Sequence, residues 1–326
     1  MAAAGGGAGG AGGSVASAVE AAAAARAALS DAEVAALMEA SAKYGKASDP
    51  HKFDPDALLV HFKVCALHPR DIPLHAFVLG CDEVKKIVCA YACAVAVSSA
   101  CGGGGLTALC GGLRPAIPND RPPPTTRPPP NTHPPADTLG SAFAIASADI
   151  TEKTGILGVR AGEMEALAAK NGSAIPHRGD SDPPAGDKPV RMTLQFLVDH
   201  EMRTGMHTHV DEPYVSAARS LLRLMWFLDF LSVLIRLLLD DKVELGECAQ
   251  SAYDEALAKH HPWLLRKTIG AAIYFLPYKA TFWRNLAGTD DDSFIRPKLQ
   301  AFVAEMDVAR LALWAYYGKH KLEGLP

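Results

Sequence analysis

Between Ser216 and Asp241 the chain reads SAARSLLRLMWFLDFLSVLIRLLLDD, a run long enough for roughly seven helical turns and too apolar to lie on a surface. Its few charges restrict what can be built around it. Arg219 and Arg223 are spaced i, i+4, so on a helix they stack on one face beside Leu222, Trp226 and Phe230. An unpaired guanidinium in dry surroundings costs several kcal/mol, so the pair predicts a half-buried anion as its partner. A membrane span is rejected. Arg223, Asp229 and Arg236 interrupt the run from Leu221 to Leu239, and each central charge costs about 2.5–3.5 kcal/mol in a bilayer.

The remainder of the chain supplies the core that such a helix needs. With 326 residues, 49% of them hydrophobic, one large domain or two small ones are expected. A net charge of −4 argues against a nucleic-acid binder, which would present a basic surface. The seven cysteines are odd in number, and four of them, Cys89, Cys93, Cys101 and Cys110, crowd into one tract without paired metal-ligand spacing, which fits a reduced cytoplasmic setting. The start lacks basic residues ahead of an apolar core, so no secretory signal is expected there.

Read in order, the chain begins with a Gly/Ala-rich arm over residues 1–50, expected to be largely disordered although its alanine-rich part could be helical. At Phe53 a short helix starts, with Asp54 as N-cap and Pro55 at its first position. A second helical segment follows Pro73. From Cys89 to Thr138 the sequence turns to small residues, glycines and then RPPPTTRPPPNTHPPAD, through which no packed helix is expected to continue. Three readings stay open for this tract: a surface insertion, a proline-rich segment that docks an aromatic groove of a partner, and a stretch foreign to the mature protein. Joining KKIV to Leu139 restores one amphipathic pattern, which favours an insertion into or beside a helix. Residues 51–326 are thus expected to form a single domain interrupted at 89–138.

Past the tract, Asp149 and Lys153 are four apart on a helical face with Ile145, Ala146 and Ile156; alone, such a pair reads as an ordinary surface salt bridge. A helix is expected from Met192 to about Thr204. His200, His207 and His209 have no standard zinc spacing, so no metal is predicted. Another helix is expected from Ala249 to Lys259. Pro262 then holds His261 at a junction between elements. WLLRKTIGAAIYF runs apolar on one side until Pro277, and a last helix spans Phe294 to Tyr317. No strand-type alternation of any length is present, so the fold class is all-α.

The order of these features carries a resemblance. D-x3-K, then R-x3-R-x2-W on a long apolar helix, then HHPWLLRK, then LPYK-x2-F from Leu276 to Phe282, and a closing GLP resemble the glycolipid transfer protein family. The likeness covers about Phe53 to Val88 and Leu139 to Pro326. It implies a two-layer sandwich of helices that encloses a lipid pocket, with a sphingolipid head group at the surface and its chains inside. No covalent chemistry and no cofactor are implied, so the chain is not expected to be an enzyme. The resemblance assigns Asp149 to the sphingoid amide and hydroxyl, and His261 to the ceramide carbonyl. Sugar-binding members have asparagine where Lys153 stands and a tryptophan platform where Arg223 stands. Lys153, Arg219 and Arg223 match instead the branch that binds ceramide-1-phosphate, although this chain has only His207 and His209 where that branch carries a further upstream arginine.

Charge leads the same way. A phosphomonoester carries about −1.5 to −2 near neutral pH, which with Asp149 roughly balances three cations, and arginine forks suit phosphate oxygens. Ile156, Leu222, Trp226 and Phe230 are read as apolar pocket lining. Trp263, with Arg266 and Lys267 nearby, is read as membrane contact; the alternative is that Trp263 packs inward behind Pro262. The expected function is non-enzymatic transfer of ceramide-1-phosphate between membranes by a cytoplasmic protein that touches membrane surfaces transiently. Two alternatives are transfer of a neutral glycosphingolipid and a sphingolipid-sensing adaptor acting through a protein partner.

Overall fold

The structure, a computed structural model, describes residues 24, 28–49, 52–100, 137–170, 192–210, 214–274, 276–289 and 291–326, with backbone alone over 89–100 and 137–145. Among the described residues every regular element is helical. They are α1 (Asp31–Ala47), α2 (Pro55–Leu67), α3 (Leu74–Ala100), α4 (Asp137–Lys170), α5 (Leu194–Thr204), α6 (Ala217–Leu239), α7 (Leu245–Ala256), α8 (Trp263–Tyr274), α9 (Lys279–Ala287) and α10 (Ile295–His320). Short 3-10 turns lie at Met206–Thr208 and Ala258–His260.

Local chemistry sets most of the ends. The Asp54 carboxylate accepts from Asp56 N and Ala57 N, and Pro55 opens α2 where no backbone donor is needed. Ser216 caps α6 by accepting from Arg219 N, and α5 stops at Gly205, whose φ of 73° suits glycine.

Two boundaries differ from the sequence expectation. Residues 31–47, counted within the low-complexity arm, form α1: Ser30 and Glu33 make a reciprocal capping box, and Val34 and Ser41 are buried. Ser41 Oγ meets His61 Nδ1 at 2.8 Å, tying α1 to α2. The helix that opens after Pro73 also runs on past Cys89 to Ala100, because CAYACAVAVSSA is alanine-rich and holds neither proline nor glycine. Asp137 and Thr138 likewise belong to α4, and α3 and α4 are separate helices packed along each other rather than one interrupted helix. Residues 101–136, which include the proline-rich stretch read above as a docking segment, lie outside the described residues.

Five long helices pack in a closed ring: α4 on α3, α3 on α2, α2 on α10, α10 on α6, and α6 back on α4. Leu58, Phe62, Phe77, Leu157, Leu221 and Phe302 fill it, each fully buried and each contributing roughly 1.5–3 kcal/mol by leaving water. The Phe62 ring packs edge-on against Phe302 at 5.1 Å. α6 lies deep in this ring, which explains its composition. Its charges are dealt with at the rim: Asp229 accepts from Arg310 and Trp314 of α10, and Arg236 pairs with Asp307. Lys279, from the LPYK motif, donates to the Asp240 and Val243 carbonyls and fixes the turn after α6. No helix among the described residues is long and apolar enough to cross a membrane.

Candidate functional site

α6 carries the arginine pair, and its start is anchored from α5. The buried Glu201 carboxylate accepts from Tyr214 Oη at 2.9 Å, Ser216 Oγ at 2.8 Å, Ala217 N at 2.6 Å and Ala218 N at 2.8 Å. A carboxylate at a helix N-terminus satisfies orphan N–H groups and the positive end of the dipole together. One turn on, Arg219 Nε donates to the backbone oxygen of Pro326 at 2.5 Å. Arg223 makes no ion pair among the described residues; its guanidinium carbon lies 4.2 Å from the Trp226 ring centre. Trp226 is in turn stacked on His260, with ring centres 3.5 Å apart and planes 6° from parallel.

α4 brings the second group. Lys153 Nζ lies 3.5 Å from Asp149 Oδ1 and 2.8 Å from Glu152 Oε1. The pair read from sequence is therefore shared with a second carboxylate. Asp149 and Glu152 are 54% and 61% exposed while Lys153 is 17% exposed, so solvent screens the acids more than the lysine.

His261 comes from the junction between the 3-10 turn after α7 and α8. Its Nδ1 lies 3.0 Å from the Tyr253 hydroxyl, which fixes the ring and leaves Nε2 for a ligand. Burial lowers the His261 pKa, Asp149 opposes that shift and Arg223 adds to it. Burial also lowers the pKa of Arg223; Arg219 adds to the shift and Asp149 opposes it. These mutual effects place Asp149, Arg219, Arg223 and His261 within one electrostatic neighbourhood. Burial, with Lys259, Arg223 and His261, pushes His260 down to about 4, so its ring is neutral near pH 7. The positive charge of the site rests on Lys153, Arg219 and Arg223.

The apolar candidates divide. Leu222 and Trp226 are buried and Ile156 and Phe230 are partly buried. None of the four lines the cavity of about 530 Å³ between α1, α3 and α4, whose walls include Met38, Leu74, Gly158, Ala161, Glu165 and Met192. Trp263 is 64% exposed and Leu264 is 70% exposed, with Arg266 and Lys267 also on the surface, so Trp263 does not pack inward behind Pro262. His200, His207 and His209 belong to no group able to hold a metal among the described residues. Sequence reading missed Glu152, Glu201, Tyr253 and His260. For Glu201 a signal existed, an acid ahead of a helix start, but a separation of fifteen positions from Ser216 hid it.

Residues 132–288 match the family model described as glycolipid transfer protein. Over these residues the chain is similar to the glycolipid transfer protein family. The match contains Asp149, Lys153, Arg219, Arg223 and His261. A Danio rerio ceramide-1-phosphate transfer protein is 31% identical over 150 residues, covering 44% of this chain and 60% of that relative. A Danio rerio glycolipid transfer protein is 30% identical over 135 residues, covering 39% of this chain and 63% of that relative. The chain thus spans about 60% of the length of the curated relatives it matches. The apo structure of mouse ceramide-1-phosphate transfer protein superposes with a TM-score of 0.53 at 18% identity, covering 84% of this chain and all of that one. This likeness carries the fold, the all-α sandwich of the glycolipid transfer protein domain. The two Danio rerio relatives differ in the lipid they are named for while being almost equally similar, so identity alone does not choose the head group.

Proposed function

We propose that the protein is a non-enzymatic carrier that extracts ceramide-1-phosphate from one membrane and delivers it to another. The observation that carries this is the charge of the site: Lys153, Arg219 and Arg223 gather beside Asp149, with a neutral His261 at its edge. Arginine forks and an ammonium suit a phosphate dianion, whereas a sugar needs a flat apolar face and neutral hydrogen-bonding partners. Arg223 stands where a sugar platform would be needed, and Trp226 beside it is engaged by Arg223 and His260. Asp149 takes the sphingoid amide and hydroxyl, and His261 Nε2 meets the ceramide carbonyl. No bond is made or broken. Shielding the chains in an apolar pocket lowers the cost of their passage through water, by about 0.8 kcal/mol for each methylene kept buried.

The surface around Trp263 supports a docking role. An exposed indole with Leu264, Arg266 and Lys267 on the first turns of α8 suits the interface of an anionic membrane next to His261. The carrier works in the cytoplasm and touches membranes only transiently. Vesicle-to-vesicle transfer of labelled ceramide-1-phosphate tests the assignment. Arg219→Leu and Arg223→Leu should each lower the rate at least tenfold; a rate indifferent to both substitutions overturns it.

A further inference from the structure

Arginine side chains are flexible, and a guanidinium that must meet a phosphate gains most when its direction is fixed beforehand. Arg219 is directed by a hydrogen bond to Pro326, but Arg223 has no acceptor among the described residues. What holds it is an aromatic face. Trp226 lies three residues on, hence on the same side of α6, and the Arg223 guanidinium rests 4.2 Å from its ring centre. A guanidinium held over a ring uses its flat side for the cation–π contact, so its in-plane N–H donors stay at the rim for a ligand. Trp226 is itself fixed: it is 9% exposed, and the His260 ring stacks on it at 3.5 Å and 6°.

The stack also joins two separate parts of the site. His260 precedes His261 in the turn after α7, while Trp226 follows Arg219 and Arg223 on α6. One aromatic contact therefore sets the arginine pair and the His261 junction in register.

On the reading of the site as a phosphate-lipid site, we propose that Trp226 and His260 are its specificity-determining positioning residues, a stacked pair that aims the Arg223 guanidinium at the head group. They act through Arg223 and touch the phosphate at no point. Their neutral rings suit the task, since a charged imidazole on the indole would compete with the guanidinium for it.

The test compares binding of fluorescent ceramide-1-phosphate with that of fluorescent ceramide, which lacks the phosphate, using the full chain. Trp226→Leu should weaken ceramide-1-phosphate about tenfold and ceramide less than twofold. Trp226→Tyr, which keeps a ring face, should recover most of the loss. His260→Ala removes the stack without opening the core and should act in the same direction by about threefold. Adding Trp226→Leu to Arg223→Leu should cost less than a further twofold, because both remove one interaction. Unchanged phosphate-lipid binding, equal losses for the two lipids, or full additivity with Arg223→Leu overturns the proposal. If the unaltered protein shows no preference for ceramide-1-phosphate over ceramide, the proposed function fails and this inference fails with it; an intact preference that ignores Trp226 and His260 overturns this inference alone.

Discussion

Replacing Glu201 by Gln should be among the most destabilising isosteric changes in the protein. The carboxylate is fully buried and accepts four hydrogen bonds, from Tyr214 Oη and Ala217 N on Oε1 and from Ser216 Oγ and Ala218 N on Oε2. A glutamine keeps one acceptor oxygen and turns an amide NH2 toward the other pair of donors. Whichever way it is placed, Ala217 N or Ala218 N loses its acceptor, and a buried unsatisfied N–H costs about 1–3 kcal/mol. The remaining bonds lose their ionic character, and the start of α6 loses a favourable charge on its dipole, together about another 2 kcal/mol. The sum is a loss of about 3–5 kcal/mol, a large share of the roughly 5–15 kcal/mol that holds a domain folded. Equilibrium urea unfolding measures it as a fall in midpoint at unchanged slope. A loss below about 1 kcal/mol would refute the claim that this carboxylate anchors α6. Because Ser216 Oγ links Glu201 to Arg219 N, ceramide-1-phosphate transfer should fall in the same variant even where it remains folded.

Further outcomes follow from packing and titration. Gly80→Ala places a methyl 2.7 Å from the buried Phe62 ring, so a loss of about 1–3 kcal/mol is expected in the same unfolding assay. Burial, with His75 and Lys86 adding and Asp54 opposing, pushes His61 down to about 4 from an ordinary value near 6.5. A lowered folded-state value means that its contribution is fully present above about pH 6.5 and is lost as pH falls toward 4. Stability should therefore drop by about 2 kcal/mol between pH 7 and 5, and His61→Asn should flatten that slope. Tyr253→Phe removes the partner of His261 Nδ1 and is expected to slow ceramide-1-phosphate transfer about threefold to tenfold while stability changes by about 1 kcal/mol or less.

The parts of the fold legible in sequence were those written in periodicity and caps. The run from Ser216 to Asp241 marks α6 to within a few residues, and Asp54 with Pro55 marks the start of α2. α9 escaped because nine residues between Pro277 and Gly288 offer too short a period to stand out. Composition does not separate an alanine-rich helix from an alanine-rich coil within the arm, and the Ser30–Glu33 box is the signal that sets the start of α1. In the candidate site, Arg219 and Arg223 stand out by their i, i+4 spacing on an apolar helix, whereas Asp149, Lys153 and His261 gain their roles only from the order of motifs that carries the family resemblance. Long-range contacts had no such trace. His260 meets Trp226 thirty-four positions away, and the Tyr253 hydroxyl meets His261 across the 3-10 turn that follows α7.

The central claim is that the head group is a phosphate. Ceramide-1-phosphate and glucosylceramide, carrying distinguishable fluorophores in one donor vesicle population, report it as a ratio of transfer rates for the unaltered protein. With Lys153, Arg219 and Arg223 at the site, the phosphate lipid should move at least tenfold faster. Equal rates, or faster movement of the sugar lipid, would contradict the assignment.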